Sequence, residues 1–305
     1  MSEAENVQVV IVGSIGLDTI ETPFEKREEL LGGSVSYACA AASFYTGVGM
    51  VGVVGSDFHD DYMALYKQFG IDLEGLQCVE GRTFRWSGVY DADMINRKTL
   101  STELNVFEQF MPVMPPRYRA ARYILLGNIA PELQLHVLDQ VDAPEFVVAD
   151  TMDLWINIAR DKLVEVIGRV DMLMLNDSEA RLLTDQYHLR RCAETIRAMG
   201  PEYVVIKKGE HGAMLFGPDG LFLVPAYPVD AVTDPTGAGD TFAGAMMGHL
   251  AQNGGVSDGT MRAALLHGAV VASHGVEAFS LDRLASLTAE DIDTRFAELK
   301  AMVAV

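Results

Sequence analysis

From Tyr123 onward the sequence alternates short apolar runs with helical stretches, and this alternation limits the fold more than any other feature. The runs are Tyr123–Leu126, Phe146–Ala149, Met172–Leu175 and Tyr203–Ile206, too short for buried helices. The helices predicted between and after them are about Pro131–Gln140, Ile156–Gly168, Asp177–Leu183 and Arg191–Met199. Strands joined through helices pair in parallel, and a parallel sheet needs helices on both faces. Two earlier runs extend the pattern. Val7-Gln8-Val9-Val10-Ile11-Val12 ends at Gly13-Ser14, and Met50–Val54 follows an alanine-rich helix of about Ser34 to Tyr45 that Ser34 is predicted to cap. Asp60–Phe69 reads as a further helix. The expected class is α/β.

One segment breaks the alternation. Arg82 to Phe110 carries Phe84, Trp86 and Tyr90 and lacks a helix start, which predicts antiparallel strands set apart from the main sheet. Part of the polar, irregular stretch Leu17–Leu31 joins them to form a small β-sheet lid. The three aromatics share a parity and so face one side of a strand. Burial tendencies favour their packing in the lid's own core over stacking on a sugar face or a nucleobase. Further on, Ala213–Phe216 and Leu221–Val224 form a hairpin around Gly217-Pro218-Asp219-Gly220. The rest is mostly helical: Gly237–Ala251, Asp258–Ser273 and Ala289–Met302.

With 305 residues, 49% of them hydrophobic, the chain reads as one domain over 1–305, its lid built from about 17–31 and 82–110. It carries 23 Lys and Arg against 43 Asp and Glu, a net charge of −20, which argues against nucleic acid and anionic membrane surfaces as partners. It leaves phosphate ligands open, because backbone N–H groups bind those without Lys or Arg. No apolar run reaches the ~18 residues of a membrane span. The opening Met1-Ser2-Glu3-Ala4-Glu5 is acidic and unlike a signal peptide. Cys39, Cys78 and Cys192 show no C-x-x-C spacing, so reduced thiols and a cytoplasmic location are expected.

Polar residues recur just past predicted strands: Ser14 and Asp18, Ser56-Asp57, Asn128, Asp150, Asn176 and Lys207. In an open α/β sheet ligands bind at the carboxyl edge of the strands, so this row is expected to line one cleft, although loops are polar in any case.

The strongest local signal is Asp234-Pro235-Thr236-Gly237-Ala238-Gly239-Asp240-Thr241-Phe242. Small residues at Gly237, Ala238 and Gly239 let the backbone approach a ligand closely, and they open a helix whose N–H groups and dipole favour an anion. The turn therefore predicts an anion hole for charge developing on a phosphoryl group. A carboxylate at Asp240 would repel a bound anion unless it faces a hydroxyl attacking that phosphorus, where it serves as general base. Other signals are weaker. Gly47-Val48-Gly49-Met50-Val51-Gly52 fits G-x-G-x-x-G, but a helix precedes it and a strand follows, the reverse of a dinucleotide fingerprint. No P-loop motif and no H-x-x-x-H pair is present, and Asp57, His59, Asp60 and Asp61 read as a solvated helix start.

The run from Asp234 to Asp240 resembles the ribokinase-like family of carbohydrate and nucleoside kinases, and the resemblance spans nearly the whole chain. Gly32-Gly33 is similar to the family's substrate-side diglycine, and Asp18 to its early aspartate that contacts substrate hydroxyls. Asn176-Asp177-Ser178-Glu179 resembles its N-x-x-E element, which helps place magnesium and phosphates; the same residues also fit a capping box. Lys207-Lys208-Gly209-Glu210-His211-Gly212 resembles its nucleotide-side loop, where Thr is more usual at position 207. The family implies a three-layer α/β/α domain with a small β-sheet lid, ATP and Mg2+, and Asp240 as base.

On that reading Gly237, Ala238 and Gly239 stabilise the charge. Asn176, Glu179, Lys207, Gly209 and Gly212 bind ATP, and Asp18, Gly32, Gly33 and Asn128 bind the substrate. Asp234 and the Thr236 carbonyl match ligands of a monovalent cation such as K+. Two elements depart from the pattern. Tyr37 stands where the family's sugar-contacting Asn falls, and Met152 and Leu154 replace the Asn and Arg of a D-x-N-x-R element beginning at Asp150. The expected partner is a small hydroxyl compound, a sugar or polyol or alternatively a nucleoside. A non-catalytic sensor on the same scaffold and a homodimer through the lid are the other readings open.

Overall fold

The computed structural model describes residues 7–304, so the acidic opening at 1–5 lies outside it. In chain order the strands are β1 (Val9–Val12), β2 (Gly16–Glu21), β3 (Lys26–Gly32), β4 (Val48–Gly55) and β5 (Asp72–Val79). Then come β6 (Phe84–Tyr90), β7 (Arg97–Glu103), β8 (Tyr123–Leu126) and β9 (Phe146–Asp150). The last are β10 (Met172–Asn176), β11 (Tyr203–Lys207), β12 (Ala213–Gly217) and β13 (Gly220–Val224). Nine of them form a sheet in the order β13-β12-β11-β10-β9-β8-β1-β4-β5, parallel except for β12 and β13 at one edge.

The period of two along each strand explains why the central runs are apolar throughout. Val9 and Ile11 of β1, Tyr123 and Leu125 of β8, and Met172 and Met174 of β10 pack into one core cluster. Their neighbours Val10, Val12, Ile124, Leu126, Leu173 and Leu175 pack into another on the opposite face. Helices Ser34–Ala42, Ala238–Gln252 and Asp258–Gly275 cover the first face. Helices Pro131–Leu138, Arg160–Ile167 and Leu189–Arg197 cover the second. The result is the three-layer α/β/α arrangement expected from the alternation. Among the described residues, no helix is long and apolar enough to cross a membrane.

A second, four-stranded sheet runs in the order β3-β2-β6-β7. Leu17–Leu31, expected to be irregular, is a pair of antiparallel strands with a bulge between Asp18 and Ile20, and that bulge hides the two-residue period from the sequence. Asp18, Ile20, Trp86 and Tyr90 share one face of this sheet. Ile20 and Tyr90 pack there on Phe279 of the main body with Trp86 alongside, so the aromatics bridge the two parts of the molecule rather than fill a core of the small sheet alone.

Three local expectations change. Gly33, not Ser34, precedes the first turn of the helix Ser34–Ala42, because Ser34 Oγ is taken up in bonds with the Ser14 amide and hydroxyl. The helix expected over Ile156–Gly168 is two, Asp153–Ile158 and Arg160–Ile167, broken at Ala159. The edge strand β5 gave no apolar run, since its sequence is DLEGLQCV.

Small residues set the helix spacing that positions the site. A Cβ at Gly244 would lie 2.0 Å from the Ala38 carbonyl oxygen, and one at Gly248 would lie 2.6 Å from that of Ala42. The helix Ala238–Gln252 therefore packs backbone to backbone on Ser34–Ala42, which brings its N-terminus to the carboxyl edge of the sheet.

Candidate active site

The glycine turn meets that edge. Gly237 adopts φ +74, a left-handed conformation that strains any residue with a Cβ, and an added Cβ would sit 2.3 Å from Tyr37 ring atoms. Ala238, Gly239 and Asp240 form the first turn of the helix. Amides of a first turn have no carbonyl four residues back, although the Ala238 amide donates to Pro235 at 3.2 Å. The turn is braced by buried Asp234, whose carboxylate accepts from the Thr236 amide at 2.9 Å and the Ser280 amide at 3.3 Å. Tyr90 of the small sheet shares a 3.0 Å hydrogen bond with Thr236 Oγ1.

Two groups of charged residues flank Asp240. On one side Asp150 and Lys207, the last residues of β9 and β11, form a 2.6 Å ion pair with side chains 7% and 18% exposed. A Cβ on Gly239 would be 3.0 Å from Lys207 Nζ, so this ammonium lies at the helix N-terminus. Burial pulls Lys207 down, but Asp150, Glu179 and Asp240 outweigh it and hold the ammonium above its ordinary value. Glu179 is pushed up to about 7 by burial, against the attraction of Lys207. Asn176 and Glu179 form a reciprocal capping box: the Glu179 amide donates to Asn176 Oδ1 at 2.8 Å, and the Asn176 amide to Glu179 Oε2 at 2.7 Å. Asn176 thereby aims Glu179 at the Asp150–Lys207 pair.

On the other side lies Asp18. Its carboxyl rises to about 8, first from burial and then from the neighbouring Asp234. A Cβ on Gly32 would fall 1.9 Å from Asp18 Oδ2, so glycine at the last position of β3 leaves room for the carboxyl. Gly33 at φ +91 has the Ser14 carbonyl where a Cβ would go. Asp240 joins the two groups. Burial and then Asp150 push its carboxyl up to about 7, while Lys207 and Arg97 pull it down.

Asp240, Asp18, Asp234, Lys207, Asp150 and Glu179 thus converge with the Gly237 turn. Gly209 and Gly212 shape the turn between β11 and β12, where the Lys208 amide donates to the Gly212 carbonyl at 2.7 Å. Asn128 is committed elsewhere: its amide donates to Met152 Sδ at 3.0 Å, and its oxygen accepts from Trp155 Nε1 at 2.9 Å. The Asp57 carboxylate is likewise engaged, accepting from the Thr83 amide and hydroxyl and from Arg85. Arg97 was not expected. It lies on the polar strand β7, whose sequence RKTLSTE carries no local sign of a role, yet its guanidinium acts on both Asp18 and Asp240.

Among the described residues, no three His, Cys, Asp or Glu side chains are gathered closely enough to hold a metal ion. A magnesium ion here needs phosphate oxygens and water for most of its ligands, and the hard carboxylate oxygens of Glu179 and Asp150 fit such an ion from outside.

Comparison with known proteins agrees with this geometry. Residues 136–283 match the model for the pfkB family carbohydrate kinases. A cytidine kinase of Thermococcus kodakarensis is 28% identical over 249 residues, 79% of this chain and 87% of the relative. A deoxyribokinase of Salmonella typhimurium is 26% identical over 298 residues, 89% of this chain and 94% of the relative. Among solved structures, the Burkholderia thailandensis nucleoside kinase in complex with inosine superimposes with a TM-score of 0.80 at 20% identity, covering 97% of this chain and 98% of that one. The Arabidopsis thaliana ribokinase complexed with ribose and ATP gives a TM-score of 0.77 at 20% identity over 95% of this chain and 99% of its own.

Proposed function

The chain belongs to the ribokinase-like family of carbohydrate and nucleoside kinases, and from that premise we propose that it uses ATP to phosphorylate a hydroxyl of a ribofuranosyl compound, a nucleoside ahead of a free sugar. One observation carries the reading: Asp240 stands at the N-terminus of its helix between Asp18 on one side and the Asp150–Lys207 pair on the other, and is electrostatically coupled to the latter. The nucleotide's phosphates lie on the Lys207 side and the acceptor on the Asp18 side. The preference for a nucleoside is supported by the cytidine kinase relative and by Trp86, a half-buried ring on the same sheet face as Asp18.

Asp240 takes the acceptor proton as the oxygen attacks in line, and the amides of the Gly237–Gly239 turn stabilise the charge on the transferring phosphoryl. Lys207 offsets the surrounding carboxylates. Magnesium held by the nucleotide supplies further charge neutralisation, with Glu179 behind it. Asp234 and the Thr236 carbonyl remain candidate ligands for K+, with Asp234 buried beside the turn. The small sheet acts as a lid that excludes water from ATP. The exposed strand β7 offers an edge to a second copy of the chain, and three free thiols suit a cytoplasmic location.

The test is a coupled ADP-release assay with cytidine, inosine, ribose and 2-deoxyribose. Faster turnover of a nucleoside than of either sugar supports the proposal, and the reverse order moves the acceptor to a sugar. Tight binding of one of the four without ADP release from any would favour the sensor.

A further inference from the structure

The small sheet reaches the glycine turn through a ring of hydrogen bonds that begins and ends on its own strands. Ser280 Oγ donates to the Leu31 carbonyl of β3 at 2.5 Å, and the Ser280 amide donates to Asp234 Oδ2 at 3.3 Å. Asp234 Oδ1 accepts from the Thr236 amide at 2.9 Å, and Thr236 Oγ1 shares a 3.0 Å hydrogen bond with the Tyr90 hydroxyl of β6. β3 and β6 flank β2, so the two ends of the ring stand on either side of the strand that carries Asp18.

Two observations mark the ring as a built feature. Ser280 is buried at φ +54, a left-handed conformation that is costly with a Cβ and persists only where the surroundings over-determine it. Its neighbour Phe279 packs with Ile20 and Tyr90 of the small sheet, and the Arg27 guanidinium lies 4.7 Å over the Phe279 ring. Phe279 and Ser280 thus seat the small sheet on the main body and at the same time hold the carboxylate that braces the turn.

We propose that Ser280 and Tyr90 are positioning residues that fix the Gly237–Gly239 turn against the strands flanking Asp18, acting through the two oxygens of Asp234 and through Thr236. Its kinetic consequence rests on the kinase reading above. A turn held from both β3 and β6 presents its amides at one place relative to Asp18, which keeps the transferring phosphoryl in line with the acceptor oxygen. Alignment of this kind acts on the rate of the chemical step more than on nucleotide binding. Because the links form a ring, losing either one frees the turn, and losing the second adds little.

The test compares wild type with Tyr90→Phe, Ser280→Gly, Ser280→Ala and the double variant Tyr90→Phe with Ser280→Gly, by steady-state kinetics with ATP and cytidine or ribose. Each single variant should lower kcat about 3- to 10-fold, the worth of one buried hydrogen bond, with the KM for ATP unchanged. Glycine relieves the strain at position 280 and alanine keeps it, so equal losses trace the effect to Oγ, and a loss with alanine alone assigns it to strain and overturns the proposal. The double variant should fall no further than the slower single variant, whereas independent sites multiply their effects. Hydrogen exchange read by mass spectrometry follows the ring without turnover. Ser280→Gly should speed exchange over Thr236–Gly239 about 3- to 10-fold, and Tyr90→Phe should do the same at Ser280, each across the ring from the change. Wild-type kcat in Tyr90→Phe or Ser280→Gly, multiplied losses in the double variant, or exchange that speeds only beside the substituted residue overturns the positioning role and leaves the kinase reading intact. A wild type that phosphorylates neither probe overturns the kinase reading, and exchange alone then decides the ring.

Discussion

Lys207 Nζ donates to Asp150 Oδ2 at 2.6 Å across the end of β10, joining the tips of two strands that do not pair with each other. Glu179 and Asp240 lie close enough to act on the same ammonium, so one cation serves three carboxylates. The pair ties the carboxyl end of β9 to that of β11 and leaves Lys207 at the helix N-terminus where phosphate charge is expected.

Removing that cation should be costly in two ways. Breaking a buried ion pair by deleting one partner destabilises by about 3–5 kcal/mol, because the other charge stays buried. Lys207→Met should therefore unfold at lower urea concentration and lose turnover by about 10²–10³-fold, a loss typical of one missing charge-stabilising group. Adding Asp150→Asn to Lys207→Met should recover part of the stability and none of the turnover. Loss of turnover without loss of stability would mean that Asp150 is not buried with the pair.

Asp240→Asn keeps the shape of the side chain and removes its basicity. Turnover should fall by about 10²–10⁴-fold while nucleotide affinity, measured by calorimetry, changes little. The pH profile gives a second check. Burial and Asp150 raise the Asp240 carboxyl to about 7, and a base works only when ionised. Wild-type kcat/KM should therefore climb as pH rises through about 7 and level off above it. A profile flat from pH 6 to 8 would remove Asp240 from the role of base.

Local pattern carried much of this site and none of its cross-connections. The Gly237–Asp240 turn is contiguous, so its chemistry is legible as a word. The strand-end positions of Asp150, Asn176 and Lys207 follow from the alternation of strands and helices. The Asp150–Lys207 contact spans 57 residues and depends on strand order, which hydrophobic period does not encode. Asp57 and Asn128 read as cleft residues by position, but through-space partners claimed both. Arg97 and Tyr90 enter the site from a separate sheet, and a bulge obscured how that sheet begins.

The capping box separates the structural and functional meanings of the Asn176–Glu179 element. Asn176→Ala removes the cap and should cost about 1 kcal/mol of stability. Because Asn176 also orients Glu179, magnesium-dependent activity should fall several-fold as well. Glu179→Gln retains a hydrogen-bonding side chain at the third helical position, so it should leave stability nearly intact while raising the magnesium concentration needed for half-maximal rate. If Glu179→Gln shows normal magnesium dependence and Asn176→Ala only lowers the unfolding midpoint, the element is a helix cap and nothing more.

Asp18 links the acceptor side to stability. Its folded-state carboxyl sits at about 8, far above the ordinary 3.8, with burial as the first cause and Asp234 the second. A carboxyl raised in this way binds a proton in the folded chain that the unfolded chain has already released. Its contribution is complete below the unfolded value and is lost as pH rises through about 8. Stability should therefore decline as pH rises from about 4 to about 8 and level off above that, by no more than about 1.4 kcal/mol per pH unit for one proton. His267 and His274, both held down near 4 chiefly by burial, act in the opposite direction below their unfolded value of 6.5, so they are silent from pH 6.5 to 8 and shift both proteins alike below it. The buried Cys39 thiol, raised by burial, brings a separate decline near pH 9 in every variant alike. Asp18→Asn removes the titrating group at constant size. Its thermal midpoint should converge with the wild type toward pH 4, pull ahead of it steadily up to about pH 8 and keep that lead above, while its acceptor affinity is lost throughout. Parallel midpoint curves for the two proteins from pH 6 to 9 would show that Asp18 is already ionised in the folded chain, and that burial beside Asp234 does not hold its proton.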